Sequence, residues 1–277
     1  MIVNSPAKIN WFLYVLGKRD DGFHEIVSSI QKVTLFDSLS FELTGRIQLN
    51  DDSNISDNIV LKTVEVLKRY RPECERGVSI KLNKNIPIAA GLGGGSGNAA
   101  STIIELNRLW SLGLSREELL GVASEIGSDV PFFLGNSFSI ASGRGERLEA
   151  YDIDQQYDIL LVNPGIEISA RWAYENASSY HEFKHVESSI EEFVRALKGR
   201  DYKVLDEFMC NDLEGAVFNE YPEIREIKEK IKRDGARLSL MSGSGSTVFG
   251  VFEDKDSAEN ARSHFNGIWT AIVKTMR

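Results

Sequence analysis

The sequence predicts an α+β protein built in two lobes. Segments that alternate apolar and polar residues, as strands do, are mixed with segments of helical spacing. The two kinds do not follow the strict alternation of a parallel α/β sheet. A polar stretch at residues 150–156 interrupts the pattern. We therefore expect a boundary there, with domains at residues 1–152 and 153–277.

Composition and charge narrow the class of protein further. Hydrophobic residues make up 42% of the 277 and charged residues 26%, which is ordinary for a globular chain. The net charge of −9 argues against nucleic-acid binding, which needs a basic face. No run of about 18 apolar residues occurs. We therefore expect neither a nucleic-acid partner nor a membrane span.

The cysteines and the first residues indicate the compartment. Cys74 and Cys210 lie far apart and in no metal-binding spacing, which fits a reducing environment. The chain does not begin with the basic region and apolar core of a secretory signal. We expect a cytoplasmic protein, either a monomer or a homodimer.

The elements of the N-terminal lobe are predicted from alternation and from helix-start signals. Pro6 should break the first extended segment, in which Lys8 and Asn10 are two apart and so share a face. Ser115 and Glu118 have the spacing of a capping box. The predicted strands are residues 2–15, 29–43, 78–82 and 137–148; the predicted helices are residues 58–70, a segment that ends near residue 109, and residues 115–127; residues 50–57 are predicted to be a polar loop.

The C-terminal lobe also mixes the two patterns. Gly235 should stop the helix that precedes it, since glycine commonly ends helices. The predicted strands are residues 157–162, 237–241, 248–252 and 268–275, and the predicted helices are residues 169–177, 188–197, 202–209, 222–233 and 257–265.

Five glycines lie within residues 87–97, here named the glycine segment. A predicted strand precedes this segment and an Ala-rich helix follows it, with Ser96 or Asn98 placed to cap the helix. Glycine permits a positive φ and a close approach of the backbone to a ligand. Exposed N–H groups and the helix dipole then favour an anion, most often a phosphate.

Two commoner phosphate loops do not match the glycine segment. The P-loop needs a lysine directly after its second conserved glycine, and no lysine follows these glycines. The dinucleotide fingerprint Gly-x-Gly-x-x-Gly fails in both frames, because its sixth position is Ser96 counted from Gly91 and Asn98 counted from Gly93. A flexible turn without a ligand stays open, although a linker is not expected between a strand and a helix.

Two further polar segments stand out. Residues 127–131 read Gly-Ser-Asp-Val-Pro, and the carboxylate of Asp129 either caps a helix or points into a site. Residues 241–247 read Met-Ser-Gly-Ser-Gly-Ser-Thr and are typical of a simple hairpin loop.

Four segments in this order resemble the GHMP kinase superfamily. They are residues 6–10 (Pro-Ala-Lys-Ile-Asn), the glycine segment, residues 127–131 and residues 241–247. The similarity extends from about residue 5 to residue 249. It implies an N-terminal lobe like ribosomal protein S5 and a ferredoxin-like C-terminal lobe. It also implies ATP and Mg²⁺ as cofactors and a small alcohol as the phosphoryl acceptor.

The resemblance implies a role for each segment. Residues 241–247 would form a wall that faces the phosphates of ATP. Asp129 would accept the proton of the attacking hydroxyl, and Lys8 would lie beside it, because a nearby cation lowers the pKa of a carboxyl group by ~1–3 units. For Lys8 the alternative is a surface lysine. The residues that would hold the ATP phosphates are Pro87, Ile88, Ala89, Ala90, Gly91, Leu92, Gly93, Gly94, Gly95, Ser96 and Gly97.

Four segments narrow the resemblance to a branch whose substrate carries a cytidine diphosphate moiety. They are residues 6–10, residues 21–24 (Asp-Gly-Phe-His), residues 211–214 (Asn-Asp-Leu-Glu) and residues 221–224 (Tyr-Pro-Glu-Ile). The resemblance implies that His24 reads the cytosine, that Phe23 stacks on it and that Asn10 lies near the alcohol end. Phe23 stands where this branch usually has tyrosine, and stacking needs only the ring face. An ordinary turn histidine stays the alternative for His24.

Gly97 is a second departure from the family pattern, which often has serine at this place. With that hydroxyl missing, Ser96 alone would offer a hydroxyl to Mg²⁺ or to a phosphate. Glycine is also a poor helix former. The protein ligands of Mg²⁺ are therefore unknown from the sequence.

The sequence also leaves three other functions to be weighed. A kinase acting on another alcohol, of the homoserine or mevalonate type, is argued against by residues 21–24. A nucleotide-binding protein without catalysis is argued against by the presence of both Lys8 and Asp129. A zinc hydrolase is suggested by His181-Glu-Phe-Lys-His185, but the neighbouring residues are polar and a third histidine is poorly supplied.

Overall fold

The computed structural model describes residues 2–51, 57–177 and 186–277, with the backbone alone at residues 186–188. Strands and helices occur in mixed order, which confirms the predicted α+β class. The strands are β1 (Ile2–Lys18), β2 (His24–Thr44), β3 (Gln48–Asp51), β4 (Gly77–Asn83), β5 (Phe138–Gly143), β6 (Arg147–Ala150), β7 (Asp158–Asn163), β8 (Leu238–Met241), β9 (Val248–Phe252) and β10 (Trp269–Lys274). The helices are α1 (Ile59–Tyr70), α2 (Gly94–Leu109), α3 (Arg116–Ile126), α4 (Val130–Phe133), α5 (Ala170–Glu175), α6 (Val186–Gly199), α7 (Tyr202–Phe208), α8 (Glu214–Glu220), α9 (Pro222–Arg233) and α10 (Lys255–Arg262).

The chain forms two compact units, each assembled from several segments. Strands β1 and β2 contribute residues to both units. The predicted division into residues 1–152 and 153–277 stays a prediction. The first unit contains Met1–Ala7, Leu35–Ile86 and Gly93–Asn136, and the second contains Lys8–Thr34, Pro87–Leu92 and Ser137–Arg277.

The first unit places β4 between β3 and the C-terminal part of β2. Strand β4 pairs antiparallel with β2 and parallel with β3. Its alternate residues Val78, Ile80 and Leu82 are buried, as the period of two predicts. Helices α1 to α4 belong to the same unit, and α1 packs on α2 and α3. The predicted capping box is present at the start of α3, between Ser115 and Glu118.

The second unit contains a four-stranded antiparallel sheet in the order β10-β7-β9-β8. Helices lie between β7 and β8 and between β9 and β10 in the chain. This β-α-β-β-α-β order is the ferredoxin-like arrangement that the resemblance implied. Strand β9 is buried along its whole length. Helices α9 and α10 pack on β9, with α9 also covering β8.

Some local predictions are wrong. Strand β1 continues through Pro6, because in the sheet formed by the described residues β1 pairs only with β2, and an edge strand tolerates a missing N–H. The predicted polar loop at residues 50–57 begins inside strand β3, which extends to Asp51, and its residues 52–56 lie outside the described residues. Helices α4 and α8 were not predicted, and α4, with four residues, is too short to show a helical period.

In residues 2–51, 57–177 and 186–277, no helix combines the length and the apolarity needed to span a bilayer.

Candidate active site

Strand β1 presents Lys8 and Asn10 on one face, as their spacing predicts. The Lys8 ammonium donates to Oδ1 of Asn10 at 2.5 Å. The Asn10 amide donates to the hydroxyl of Ser28 at 2.8 Å, and that hydroxyl donates to the carbonyl oxygen of Phe12 at 2.7 Å. All four residues are buried. The alternative of a surface lysine at position 8 is therefore wrong, and the ammonium has a fixed orientation.

The first half of the glycine segment is held against a loop that joins β8 to β9. Gly91 has a φ of +74°, and a methyl group on it would lie 2.0 Å from the carbonyl oxygen of Ser242. The Ser242 hydroxyl donates to the carbonyl oxygen of Gly91 at 2.9 Å. The Thr247 N–H donates to the carbonyl oxygen of Ala90 at 3.2 Å. Glycine at position 91 is required by both its φ and this close approach.

The same loop approaches Lys8. A methyl group on Gly243 would lie 3.1 Å from Nζ of Lys8 and 3.1 Å from the carbonyl oxygen of Gly91. The side-chain amide of Asn211 donates to the carbonyl oxygens of Met241 and Gly243, both at 2.8 Å. Residues 241–247 are thus a hairpin loop, as their composition predicts, and they also line the surroundings of the Lys8 ammonium.

A partly buried ion pair supports this loop. The Glu214 carboxylate accepts from the Met241 N–H at 2.9 Å and from the Lys228 ammonium at 2.6 Å. Burial raises the pKa of the Glu214 carboxyl, and Lys228 acts in the opposite direction. Since breaking a buried pair leaves an uncompensated charge, Glu214 and Lys228 are expected to fix the loop together.

The second half of the glycine segment opens helix α2. The helix begins at Gly94, and Gly93, with a φ of +66°, is its N-cap without a side-chain capping bond. The predicted capping by Ser96 or Asn98 is wrong, because both residues lie inside the helix. The first N–H groups of a helix lack partners within it. A methyl group on Gly94 would lie 3.1 Å from the Lys84 ammonium, which also donates to the Asp37 carboxylate. The N–H groups at the start of the helix favour an anion such as a phosphate.

Gly97 has a structural explanation. A methyl group there would lie 2.7 Å from the carbonyl oxygen of Pro6 and 2.8 Å from Oγ of Ser5. Strand β1 therefore occupies the space that a side chain at position 97 would need.

Asp129 occupies the N-cap position of α4 and is half-buried. Its side chain makes no capping hydrogen bond to that helix, so the alternative of a helix cap is wrong. Asp129 belongs to the first compact unit and Lys8 to the second. The pairing of their side chains stays a prediction.

The two residues expected to recognise the base lie at the start of β2. Phe23 is about half exposed, and the Arg144 guanidinium lies 4.6 Å from the centre of its ring. The His24 ring stacks on Tyr174, with centroids 5.5 Å apart and an interplanar angle of 22°. Burial and, to a lesser extent, Lys18 lower the pKa of His24, against the effect of Glu175. The imidazole is therefore mainly neutral at pH 7.

Sequence reasoning missed Tyr174 and Ser28. Tyr174 lies on α5, about 150 residues after His24, and no motif marks it. Ser28 is one of two neighbouring serines on β2, and both are buried, so only its contact with Asn10 in the folded chain distinguishes it.

Within the described part of the chain, no group of three or more His, Cys, Asp or Glu side chains is arranged to hold a metal ion. The zinc motif at His181 and His185 lies outside the described residues.

Comparisons with known proteins address the family directly. Residues 58–136 match the model of the GHMP kinases N terminal domain, and residues 189–269 match that of the GHMP kinases C terminal. The 4-diphosphocytidyl-2-C-methyl-D-erythritol kinase of Thermodesulfovibrio yellowstonii is 41% identical, and the match covers 98% of this chain and 96% of the relative. The chain belongs to the GHMP kinase family. The predicted family is confirmed, and the chain is a small-molecule kinase.

Solved structures agree with membership of the GHMP kinase family. A crystal structure of 4-(cytidine 5'-diphospho)-2C-methyl-D-erythritol kinase has a TM-score of 0.86 and 29% identity, and the match covers 100% of both chains. A homoserine kinase from Cytophaga hutchinsonii has a TM-score of 0.69 over 97% of this chain and 94% of its own. Its identity of 16% shows the shared fold alone.

Proposed function

We propose that this GHMP kinase transfers the γ-phosphoryl group of ATP to the 2-hydroxyl of 4-diphosphocytidyl-2-C-methyl-D-erythritol. The reaction belongs to non-mevalonate isoprenoid precursor biosynthesis. One observation carries the proposal. A relative named as the kinase of this substrate is 41% identical to the chain, and the match covers nearly all of both. The turn at residues 21–24, with its aromatic ring and histidine, agrees with a substrate that carries a cytosine.

The glycine segment is the proposed binding site for the phosphates of ATP. Support comes from the positive φ of Gly91 and Gly93, from the uncapped start of α2 and from the Lys84 ammonium near Gly94. A bound Mg²⁺ would neutralise charge on the phosphates, and Ser96 is the side chain proposed to offer it a hydroxyl.

Lys8 and Asp129 are the proposed catalytic residues. The substrate hydroxyl oxygen forms a bond to the γ-phosphorus while the bond from that phosphorus to the bridging oxygen of ADP breaks. The hydroxyl proton goes to the Asp129 carboxylate, and ADP leaves. Such transfers depend mainly on positioning and on charge stabilisation. The proposed role of Lys8 is to stabilise the transferred group, and its hydrogen bond to Asn10 supports a fixed position.

The cytosine is proposed to be recognised by Phe23 and His24. A neutral imidazole has one donor and one acceptor nitrogen, which complements a base edge that also offers both. The lowered pKa of His24 supports this neutral form at pH 7. Tyr174, stacked on His24, would keep the imidazole in one orientation.

The proposed location is the cytoplasm, in line with the use of ATP. Neither Cys74 nor Cys210 forms a disulfide, which agrees with a reducing compartment. No nucleic-acid or membrane partner is proposed, and the protein would act as a monomer or a homodimer.

The proposal is tested by coupled ADP release across a panel of alcohols with and without a cytidine diphosphate group. Activity on the cytidine-bearing methylerythritol alone supports it. Activity on homoserine or on mevalonate derivatives would instead favour a different GHMP kinase. A second test is Asp129→Asn, which should reduce turnover at least about 10³-fold while ATP binding persists. A variant that keeps most of its rate would remove Asp129 from the mechanism.

A further inference from the structure

Asp37 is a fully buried carboxylate on β2 in the first compact unit. Its Oδ1 accepts from the N–H groups of Asn85 at 2.8 Å and of Ile86 at 2.9 Å. Its Oδ2 accepts from the Lys84 ammonium and, at 3.0 Å, from the side-chain amide of Asn98. Four donors on one buried carboxylate form a strong, charge-assisted set of hydrogen bonds.

The four donors lie at the two ends of the glycine segment. Residues 84–86 lead directly into it, and Asn98 follows its last residue within α2. A single carboxylate therefore fixes the position of residues 84–86 relative to the first turns of the helix. The shape of the intervening glycines depends on this distance, because glycine backbones have little conformational preference of their own.

The orientation of Asn98 indicates more than general packing. Among the described residues, Oδ1 of Asn98 is buried without a hydrogen-bond partner. Such an unsatisfied oxygen costs about 1–3 kcal/mol. Turning the amide over would place this oxygen against the Asp37 carboxylate. The Asn98 amide therefore keeps its hydrogen bond to Asp37 while its own oxygen stays unsatisfied. This bond fixes the rotation of helix α2 about its axis.

We infer that Asp37 is a positioning residue for the phosphates of a nucleoside triphosphate. It acts through Asn85, Ile86 and Asn98, which hold the two ends of the glycine segment at the spacing that the phosphates require. The inference rests on the proposed function, since the glycine segment is the proposed phosphate site. Asp37 itself does not touch the nucleotide.

The first test is Asp37→Asn. The amide oxygen still accepts from the Asn85 and Ile86 N–H groups, but the amide nitrogen faces two other donors, the Lys84 ammonium and the Asn98 amide. We expect the KM for ATP to rise about 10-fold, with the KM for the alcohol substrate changed less than 2-fold. The double variant Asp37→Asn with Asn98→Asp restores a donor–acceptor pair and should recover most of the ATP affinity. A purely structural loss would move both KM values and would not show this rescue.

A matched control lies on the same helix. Asn107 accepts from the Leu114 N–H at 3.0 Å near the other end of α2. Asn107→Ala should lower the melting temperature and leave the KM for ATP unchanged. If Asn107→Ala raises the KM for ATP as much as Asp37→Asn does, the assignment of Asp37 is overturned.

Two further outcomes decide the case. A folded Asp37→Asn variant with an unchanged KM for ATP overturns the inference. If that variant does not fold, Asn98→Ala is tested instead, because Asp37 then keeps three of its four donors. An unchanged KM for ATP in Asn98→Ala also overturns the inference.

Failure of the proposed function is recognised separately. If the wild-type protein phosphorylates no cytidine-bearing alcohol, calorimetric titration with ATP alone still compares the variants. A dissociation constant that rises about 10-fold in Asp37→Asn and recovers in the double variant supports the inference, whereas equal constants overturn it.

Discussion

Gly97 on α2 and Pro6 on β1 approach so closely that a methyl group on Gly97 would lie 2.7 Å from the Pro6 carbonyl oxygen. The obstacle is backbone, which cannot rotate away as the end of a side chain can. The absence of serine at position 97, a departure from the family pattern, therefore matches the position of β1. The cost is the loss of one hydroxyl near the proposed phosphate site.

Gly97→Ala is expected to destabilise the protein by about 1–3 kcal/mol, since overpacking forces the strand or the helix to shift. Helix propensity alone would favour alanine by about 1 kcal/mol. The sign of the change in the free energy of unfolding therefore distinguishes overpacking from helix propensity. Urea unfolding measures the change. Gly95→Ala is the control, because Gly95 is exposed and its methyl group would lie 3.6 Å from Ile59. A Gly97→Ala protein as stable as Gly95→Ala would contradict the packing argument.

Ser28→Ala is expected to lower kcat about 3- to 10-fold. The variant removes the hydroxyl that accepts from the Asn10 side-chain amide. The side-chain oxygen of Asn10, which accepts from the Lys8 ammonium, is then less well oriented. A loss of ~1 kcal/mol in transition-state stabilisation corresponds to this range. Steady-state kinetics at saturating ATP and alcohol measures it.

The neighbouring serine provides the control. Ser29 is also buried, and its Oγ accepts from the Phe12 N–H at 3.2 Å. Ser29→Ala should therefore reduce stability by a similar amount while kcat stays within 2-fold. Equal losses of kcat in the two variants would show that Ser28 acts through stability alone.

Several local features of the chain could be predicted because their parts are continuous in sequence. The spacing of Lys8 and Asn10, the glycine segment and the capping box at Ser115 each follow from local rules. Capping of α2 was predicted wrongly because the deciding partner of Asn98 is Asp37, which lies 61 residues away. Tyr174 and Ser28 went unnoticed for the same reason, since only the folded chain brings them to His24 and Asn10.

Tyr174→Ala is expected to raise the KM for the cytidine-bearing alcohol about 10-fold, with the KM for ATP little changed. The variant removes the ring that stacks on His24, and aromatic pairs contribute about 0.5–1.5 kcal/mol beyond their buried area. Tyr174→Phe keeps the ring and should keep the wild-type KM within 2-fold. If Tyr174→Phe is as impaired as Tyr174→Ala, the hydroxyl matters rather than the stacking. Separate titrations of the two substrates measure both constants.

Lys32→Met is expected to stabilise the protein at pH 7 and to remove a rise in stability at alkaline pH. Lys32 on β2 is buried, and this burial lowers its pKa from 10.5 to about 8. Between those two pKa values the unfolded state binds more protons than the folded state, so stability increases with pH. Below about pH 8 both states are protonated, and the full cost of burying the charge is present. The difference between the two pKa values corresponds to ~3 kcal/mol at most.

Urea unfolding at pH 7 and at pH 10 measures the effect of Lys32→Met. In the wild-type protein, the contribution of Lys32 adds to stability between these two pH values, and the variant should lack it. Lys274→Met is the control, because Lys274 is exposed and pairs with Asp158 at 3.4 Å, so its charge is not buried as that of Lys32 is. It should keep the alkaline rise of the wild type. A Lys32→Met protein that is less stable than the wild type at pH 7 would mean that the ammonium is stabilised where it lies, and the burial argument would be wrong.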